Sequence, residues 1–123
     1  MTEVQEQATL FKWTLSVRQQ YPELKLLHHI KNETTGGARQ VAVDKSQGVK
    51  PGVPDLCLPV ARRGYHGLYI EMKTENGRTS DAQDWWIEQL NAQGYFAEVC
   101  HGWQSAVKVI EWYLTKEGGN DNG

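Results

Sequence analysis

The chain has 123 residues, which is enough for one hydrophobic core but not for two, so one domain with one site is expected. Its 39% hydrophobic content, with five Trp and five Tyr, excludes a largely disordered chain, and no apolar run approaches the roughly 20 residues of a membrane span. The net charge of −2 argues against a protein that coats DNA regardless of sequence.

The N-terminus lacks the basic start and apolar block of a secretory signal. Cys57 and Cys100 lie in apolar, strand-like runs, where buried reduced thiols are favoured over a disulfide or metal ligands. An intracellular, cytoplasmic protein is therefore expected. Residues 1–117 are predicted to form its single domain, and the polar residues 118–123 a disordered tail.

Hydrophobic periodicity and turn residues predict the element order α-β-(α)-β-β-α-β-α. In chain order the expected elements are a helix over 3–19, a strand over 24–30, a short helix over 38–47, strands over 55–61 and 68–73, and then a helix from 80 to 93, a strand over 95–100 and a helix over 103–115.

Three helices have predicted buried faces. The first helix is expected to bury Val4, Ala8, Phe11 and Leu15, with Leu10, Trp13 and Val17 widening the stripe. The short helix is expected to turn Ala38, Val41 and Ala42 inward, and the last helix Trp103, Ala106, Val107, Ile110 and Tyr113.

The strands over 55–61 and 68–73 are separated by the turn-like sequence RRGYHG and predict a hairpin. Glu71 and Lys73 are two residues apart on one strand, so they project from the same face. If the hairpin is symmetric about Arg63 or Gly64, Asp55 lies opposite either Glu71 or Lys73. The Cβ atoms of the facing residues would then be about 4.5–5.5 Å apart. Two carboxylates and an ammonium would then share one small site.

Carboxylates at that distance disfavour each other's ionisation unless a cation lies between them. Mg²⁺ typically takes one or two protein carboxylates and leaves positions for waters and phosphate oxygens. The pattern therefore points to a metal-dependent phosphodiester site. The alternative is an edge hairpin with solvated charges, which is the more common outcome for an arbitrary Asp and Glu-x-Lys.

Two polar helix residues have both a structural and a functional interpretation. Glu6 shares the side of its helix with Leu10 and Trp13, which makes it a candidate third metal carboxylate or a first-turn residue that favours the helix dipole. Gln83 forms a capping-box pattern with Ser80 and could instead act at the site, but one side chain is not expected to do both at once.

His28 and His29 are consecutive. In a regular strand they would point to opposite faces and could not bind the same metal ion.

Nine of the 13 Lys and Arg residues lie between residues 25 and 78, together with five acidic residues. A basic surface around an acidic pocket suits a polyanionic substrate, although ordinary surface charge would give the same count. The candidate DNA-binding residues are Lys31, Arg39, Lys45, Lys50, Arg62, Arg63 and Arg78.

Pro54-Asp55 followed by Glu71-Met72-Lys73 has the form PD…(D/E)xK and resembles the PD-(D/E)xK nuclease superfamily. Further matches make the chain resemble the VRR-NUC (virus-type replication-repair nuclease) family over about residues 3–101, in particular its short stand-alone phage and bacterial members. They are Glu6, Asn32-Glu33, Gly36-Gly37, Gly48, the sequence GVPDL at 52–56, Gly67, IEMK at 70–73, Ser80 with Gln83, Leu90 and Gly94.

This resemblance implies a mixed α/β fold with a restriction-endonuclease-like core. It also implies a Mg²⁺- or Mn²⁺-dependent DNA endonuclease, structure-specific for branched or four-way junction DNA in replication, recombination or repair. A phage-encoded or bacterial setting is implied as well. A homodimer would suit a symmetric junction, because two sites related by a two-fold axis can nick two strands and the five Trp leave apolar surface to spare. The alternative is a DNA-binding module that keeps the fold without activity.

The same resemblance assigns roles to individual residues. Glu6, Asp55, Glu71 and the Met72 carbonyl would bind the metal. Lys73 would position or polarise the attacking water, and Gln83 would assist.

Overall fold

The computed structural model of the chain describes residues 1–31 and 35–115. Its elements are helix α1 (Glu3–Ser16), a 3-10 helix (Pro22–Leu26), strand β1 (His28–His29), helix α2 (Ala38–Ser46), strands β2 (Leu56–Leu58) and β3 (Leu68–Lys73), helix α3 (Asp81–Ala92), strand β4 (Phe96–His101) and helix α4 (Trp103–Leu114). The mixed α/β class is confirmed. The predictions for Asn32-Glu33 and for the tail fall outside the described residues.

The four strands lie in the order β1-β2-β3-β4, so β3 is an inner strand. Strands β1 and β2 pair antiparallel, as do β2 and β3, whereas β3 and β4 are parallel. Leu56 pairs with Ile70, and continuing this register by one residue puts Asp55 opposite Glu71. The hairpin is therefore symmetric about Arg63, which was one of the two predicted registers.

The hairpin turn is formed by Arg63 and Gly64, which both have positive φ angles, of 53° and 83°. Arg62 and Tyr65 exchange backbone hydrogen bonds on either side of them, at 3.2 and 2.8 Å. Two positive φ angles match the right-handed twist of the flanking strands. The turn thus holds the two strands that carry the candidate site in one register.

Alternation along β3 separates the core from the site. Leu68, Ile70 and Met72 belong to a buried cluster that also contains Leu10 of α1 and Ile110 of α4. The side chains of Glu71 and Lys73 therefore project to the other face. The predicted inner face of α4 is confirmed, with Ala106, Ile110 and Tyr113 fully buried.

The predicted inner face of α1 is only partly correct, because Phe11 and the widening residues Leu10, Trp13 and Val17 pack on the core while the rest of the stripe is exposed. Val4 is 80% and Leu15 61% exposed, while Leu10 and Thr14 are buried. The helix packs against both α4 and β3, and this turns the Leu10 side inward. Thr14 tolerates burial because its hydroxyl donates to the Phe11 carbonyl at 2.6 Å.

Two other local predictions are corrected by the structure. The strand expected over 24–30 is a 3-10 helix followed by the two-residue β1, because Pro22 at the helix start fixes φ and lacks an N–H.

Helix α2 buries Asp44 rather than an apolar face, and Val41 is 46% exposed. The Asp44 carboxylate accepts from Gln40 at 2.7 Å and lies 3.8 Å from the Lys31 ammonium.

Cys57 and Cys100 are buried and free, as predicted. Within residues 1–31 and 35–115, no helix is long and apolar enough to cross a membrane.

Candidate active site

Asp55 directly precedes β2, and its side chain adds one further hydrogen bond to β3 beyond the backbone pairing of the two strands. Its Oδ2 atom accepts a hydrogen bond from the Met72 backbone N–H at 2.8 Å. The N–H and C=O of one strand residue face the same neighbouring strand. The Met72 carbonyl therefore faces the side on which Asp55 lies, whereas the Met72 side chain is buried in the core.

Glu71 is the most buried acidic residue of the site, with 1% of its surface exposed. Its Oε2 atom lies 3.2 Å from Gln83 Nε2 and 3.5 Å from Lys73 Nζ. Its Oε1 atom is buried and has no hydrogen-bond partner among the described residues. Burial first, and then the negative charge of Asp55, raise the pKa of Glu71 to about 8, although Lys73 opposes the shift.

Lys73 is buried at the end of β3 between two carboxylates. Its ammonium lies 3.5 Å from Glu71 Oε2 and 3.9 Å from Glu3 Oε2. Glu3 belongs to the first turn of α1 and is half-exposed, and sequence reasoning missed it. Its position one turn before Glu6, on the same helix, was the available signal.

Gln83 contacts both the start of α3 and Glu71. Its Oε1 atom accepts from the Ser80 N–H at 2.9 Å, and the Ser80 hydroxyl accepts from the Gln83 N–H at 3.2 Å. The predicted capping box is therefore confirmed. At the same time, the Nε2 end of the amide donates to Glu71 Oε2 at 3.2 Å, so one side chain makes both contacts at once, and a role of Gln83 in catalysis stays a prediction.

A short distance between α3 and the loop before Asp55 brings Gln83 to Glu71. Gly52 has φ +90°, and a Cβ atom there would lie 2.6 Å from the Ala82 carbonyl carbon. Trp86 Nε1 also donates to the Pro51 carbonyl at 3.0 Å. Only a glycine at position 52 lets the first turn of α3 lie this close to the loop.

Comparison with known proteins shows the family of this chain. A family model described as the VRR-NUC domain matches residues 1–104. The chain belongs to the VRR-NUC domain family. It is thus a member of a family of nucleases.

Two relatives agree with this assignment. A solved structure titled "VRR_NUC domain protein" superposes with a TM-score of 0.80 and 35% sequence identity, covering 93% of this chain and 88% of the other. The Fanconi-associated nuclease 1 homolog of Schizosaccharomyces pombe (strain 972 / ATCC 24843) is 36% identical over 70 residues. That match covers 53% of this chain and only 10% of the relative.

Glu6 of this VRR-NUC domain contacts the start of α4. Its Oε1 atom accepts from the Trp103 backbone N–H at 3.1 Å. Gly102, the N-cap residue of α4, has no side chain to do this, so Glu6 caps the helix from α1. Within the described ranges, no three His, Cys, Asp or Glu side chains are grouped to hold a metal ion, so metal ligation by Glu6 stays a prediction.

The two consecutive histidines separate, as expected. His29 Nδ1 lies 3.0 Å from the Asp55 carbonyl oxygen and 3.2 Å from Gln7 Nε2, while His28 Nδ1 lies 2.9 Å from the Leu26 carbonyl. Because a carbonyl only accepts, His29 donates from Nδ1 to Asp55. His29 thus ties β1 to the residue that carries the first site carboxylate.

The candidate DNA-binding residues are distributed over both ends of the sheet. Lys31 and Arg78 line grooves that also contain Asp55 and Lys73, respectively. Arg39, Lys45 and Lys50 lie on α2 and the following loop and are exposed.

Arg62 and Arg63 lie at the hairpin turn, at the opposite end of β3 from the site. Arg62 donates to Glu23 at 2.8 Å, and the Arg63 guanidinium stacks 4.3 Å from the Trp112 ring centre. That they contact DNA stays a prediction.

Proposed function

We propose that this VRR-NUC domain is a metal-dependent DNA endonuclease that hydrolyses phosphodiester bonds. The observation that carries the proposal is the buried, unpartnered Oε1 atom of Glu71 next to Asp55. A buried carboxylate in this state is costly unless a cation binds it. A divalent cation would supply both the missing partner and the compensating charge.

The donor set fits a hard cation such as Mg²⁺ or Mn²⁺. Asp55, Glu71 and the Met72 carbonyl offer oxygen atoms on neighbouring strands, and two carboxylates are the number that Mg²⁺ usually takes from a protein. Glu6 is a further candidate ligand, after release from Trp103. When bound, the metal lowers the pKa of a ligated water and neutralises charge on the scissile phosphate.

Besides the metal ion, the Lys73 side chain would supply positive charge for catalysis. Its ammonium is held between Glu71 and Glu3, and its burial strengthens its electrostatic effect. From this position it would donate to the attacking water or to a phosphate oxygen. Gln83, through its Nε2 atom, would keep Glu71 oriented toward the metal.

The substrate proposed is DNA, and more specifically branched or four-way junction DNA. Exposed basic side chains at the two grooves beside the site suit a polyanion, and the net charge of −2 suits local rather than sequence-blind binding. A homodimer is proposed as well, because two sites related by a two-fold axis can nick two strands of a symmetric junction.

Cleavage assays test this function. Purified protein is incubated with labelled linear, flap and four-way DNA in Mg²⁺, Mn²⁺ or EDTA. We expect cleavage with either metal and none in EDTA, and the largest rate on a branched substrate. Equal rates on all three DNAs would remove the structure specificity while keeping the nuclease.

Lys73→Ala is the matched variant for the chemical step. An ammonium cannot ligate a cation, so this variant should keep metal affinity and lose cleavage by at least about a hundredfold. DNA binding without cleavage by the unaltered protein, in every metal, would instead favour an inactive DNA-binding module.

A further inference from the structure

Two grooves lead away from the candidate active site in different directions. The first, named the helix groove, has a volume of about 520 Å³ and extends along α1 from Asp55, past Val4, Ala8 and Phe11 on one wall and His29 and Lys31 on the other. The second, named the loop groove, has a volume of about 450 Å³ and extends from Lys73 past Arg78, Ser80 and Gln83. Asp55 lines the first groove and Lys73 the second, and both residues flank Glu71, so each groove reaches the edge of the site.

The two grooves differ in chemistry. The α1 wall of the helix groove includes Val4, which is 80% exposed, together with exposed Ala8 and the ring of half-buried Phe11. The loop groove presents the guanidinium of Arg78 and the polar side chains of Thr79 and Ser80. The first wall suits the face of a base or sugar, and the second suits phosphate oxygens.

We propose that the helix groove binds one unstacked nucleotide of the substrate strand, on one side of the scissile phosphate, while the loop groove binds the phosphate backbone on the other side. This inference rests on the proposed nuclease function and adds the feature of DNA that the enzyme reads. An unstacked nucleotide is available at a branch point or single-stranded end but costs energy to extract from a regular duplex.

Three observations favour a nucleotide as the occupant. The groove shares Asp55 with the site, so a strand with its phosphate there can continue along this groove. Its volume lies within the range of about 300–1,000 Å³ for small-ligand sites. Lys31 and His29 lie on the wall opposite the apolar one, where they can contact the phosphate or base edge of a nucleotide that packs on Phe11.

The test is an abasic scan of DNA binding. A four-way junction is made with a single abasic site at each position around the branch point, and affinity is measured in EDTA by anisotropy. We expect a loss of about fivefold to a hundredfold at one position, on one side of the scissile phosphate only, which is the range that base–aromatic stacking contributes.

Ala8→Trp fills the groove from an exposed helix position. Ala8→Trp should weaken binding of intact DNA by about the same factor as the sensitive abasic site does. In this variant the abasic site should have no further effect, because the variant and the abasic site remove the same interaction. Leu15→Trp is the matched control, since Leu15 is exposed on the same helix but does not line the groove. It should change neither quantity. Val4→Trp, on the same wall, gives a second test.

Other results overturn the inference. An abasic scan without a sensitive position would do so, as would full abasic sensitivity in Ala8→Trp. A lower mass by light scattering for Ala8→Trp, with equal loss of affinity for all DNAs, would mean that a second copy of the chain covers the groove. Cleavage is assayed separately, so a sensitive position without cleavage in any metal would reject the nuclease function and not the nucleotide site.

Discussion

Asp55 has two roles in the structure, one in the backbone pairing and one in the charge of the site. Its carboxylate accepts a hydrogen bond from the Met72 N–H, which lies past the start of β2 and has no backbone partner on that strand, and it also raises the pKa of Glu71. A substitution at Asp55 therefore combines a structural effect with an electrostatic one. The two effects separate if the acceptor is kept and the charge is removed.

We predict that Asp55→Asn abolishes cleavage and keeps stability, whereas Asp55→Ala abolishes cleavage and loses about 1–3 kcal/mol, the cost of leaving the Met72 N–H without an acceptor. Relief of repulsion with Glu71 offsets part of that cost. Denaturant unfolding and cleavage assays measure both. Cleavage by Asp55→Asn at the original rate would remove Asp55 from the catalytic site.

Glu71 links metal binding to pH. Burial and Asp55 raise the pKa of Glu71 to about 8, and the metal binds only the deprotonated carboxylate. We therefore predict that Mg²⁺ affinity rises about tenfold per pH unit up to about pH 8 and then levels off. Calorimetric titrations in several buffers should show uptake of one metal with release of about one proton below pH 8. A pH-independent affinity would contradict this.

The same shift predicts how the metal-free protein responds to pH. Between the ordinary pKa of 4.5 and about 8, the folded state keeps a proton on Glu71 that the unfolded state has released. Glu71 therefore makes stability fall as the pH rises through this window. Glu71→Gln, which cannot ionise, should flatten that part of the melting profile and serves as the control.

At the scale of elements, α1 contributes more to the site than its sequence indicated. Its first turn places Glu3 beside Lys73 and Glu6 at the start of α4. The contact between Glu6 and Trp103 joins residues 97 positions apart in the chain. A change in Glu6 is therefore expected to be felt first in the packing of α4.

We predict that Glu6→Gln keeps a hydrogen bond to Trp103 and loses well under 1 kcal/mol, while Glu6→Ala loses about 0.5–2 kcal/mol as a missing helix cap. Both variants should lower metal affinity by less than Asp55→Asn does. Thermal unfolding and metal titration of the three variants check this. A Glu6→Gln effect on metal affinity as large as that of Asp55→Asn would make Glu6 a principal ligand.

The approach of α3 to the loop before Asp55 gives a second prediction at this scale. Gly52→Ala should lower both stability and cleavage, because its Cβ would meet the Ala82 backbone and move Gln83 from Glu71. Gly48→Ala is the matched control. Its φ of +88° gives similar strain, about 1–2 kcal/mol, but nothing lies within 4 Å of the added carbon. If both variants lost activity equally, backbone strain alone would explain the loss. The close approach of α3 to the loop would then have no role in placing Gln83.

At the scale of the whole molecule, large apolar side chains stay exposed on several described elements, including Val4, Leu15, Leu26, Trp85 and Trp112. A second copy of the chain would bury some of this surface. If the proposed homodimer forms, light scattering should give twice the chain mass of 14.0 kDa. Charged substitutions such as Trp85→Glu and Trp112→Glu, made separately, should identify the interface, since only a change inside it lowers the mass. A mass of 14.0 kDa at assay concentration would contradict the homodimer.

The sequence by itself determined the parts of this protein that depend on local structure. Alternation along β3 puts Glu71 and Lys73 on one face, the hairpin puts Asp55 opposite one of these two residues, and Ser80 with Gln83 starts α3. Each of these relations joins residues that are close in the chain, or paired by one turn, so backbone geometry is enough to predict them.

Only the tertiary structure decided which side of α1 is buried, that Glu3 lies beside Lys73, and that Glu6 caps α4. The α1 sequence has apolar residues on two overlapping faces, Val4 with Leu15 and Leu10 with Trp13, and periodicity could not choose between them. Packing against α4 and β3 together made the choice, because a single rotation of the helix must satisfy both neighbours. That rotation also set which acidic side chains of α1 reach the site.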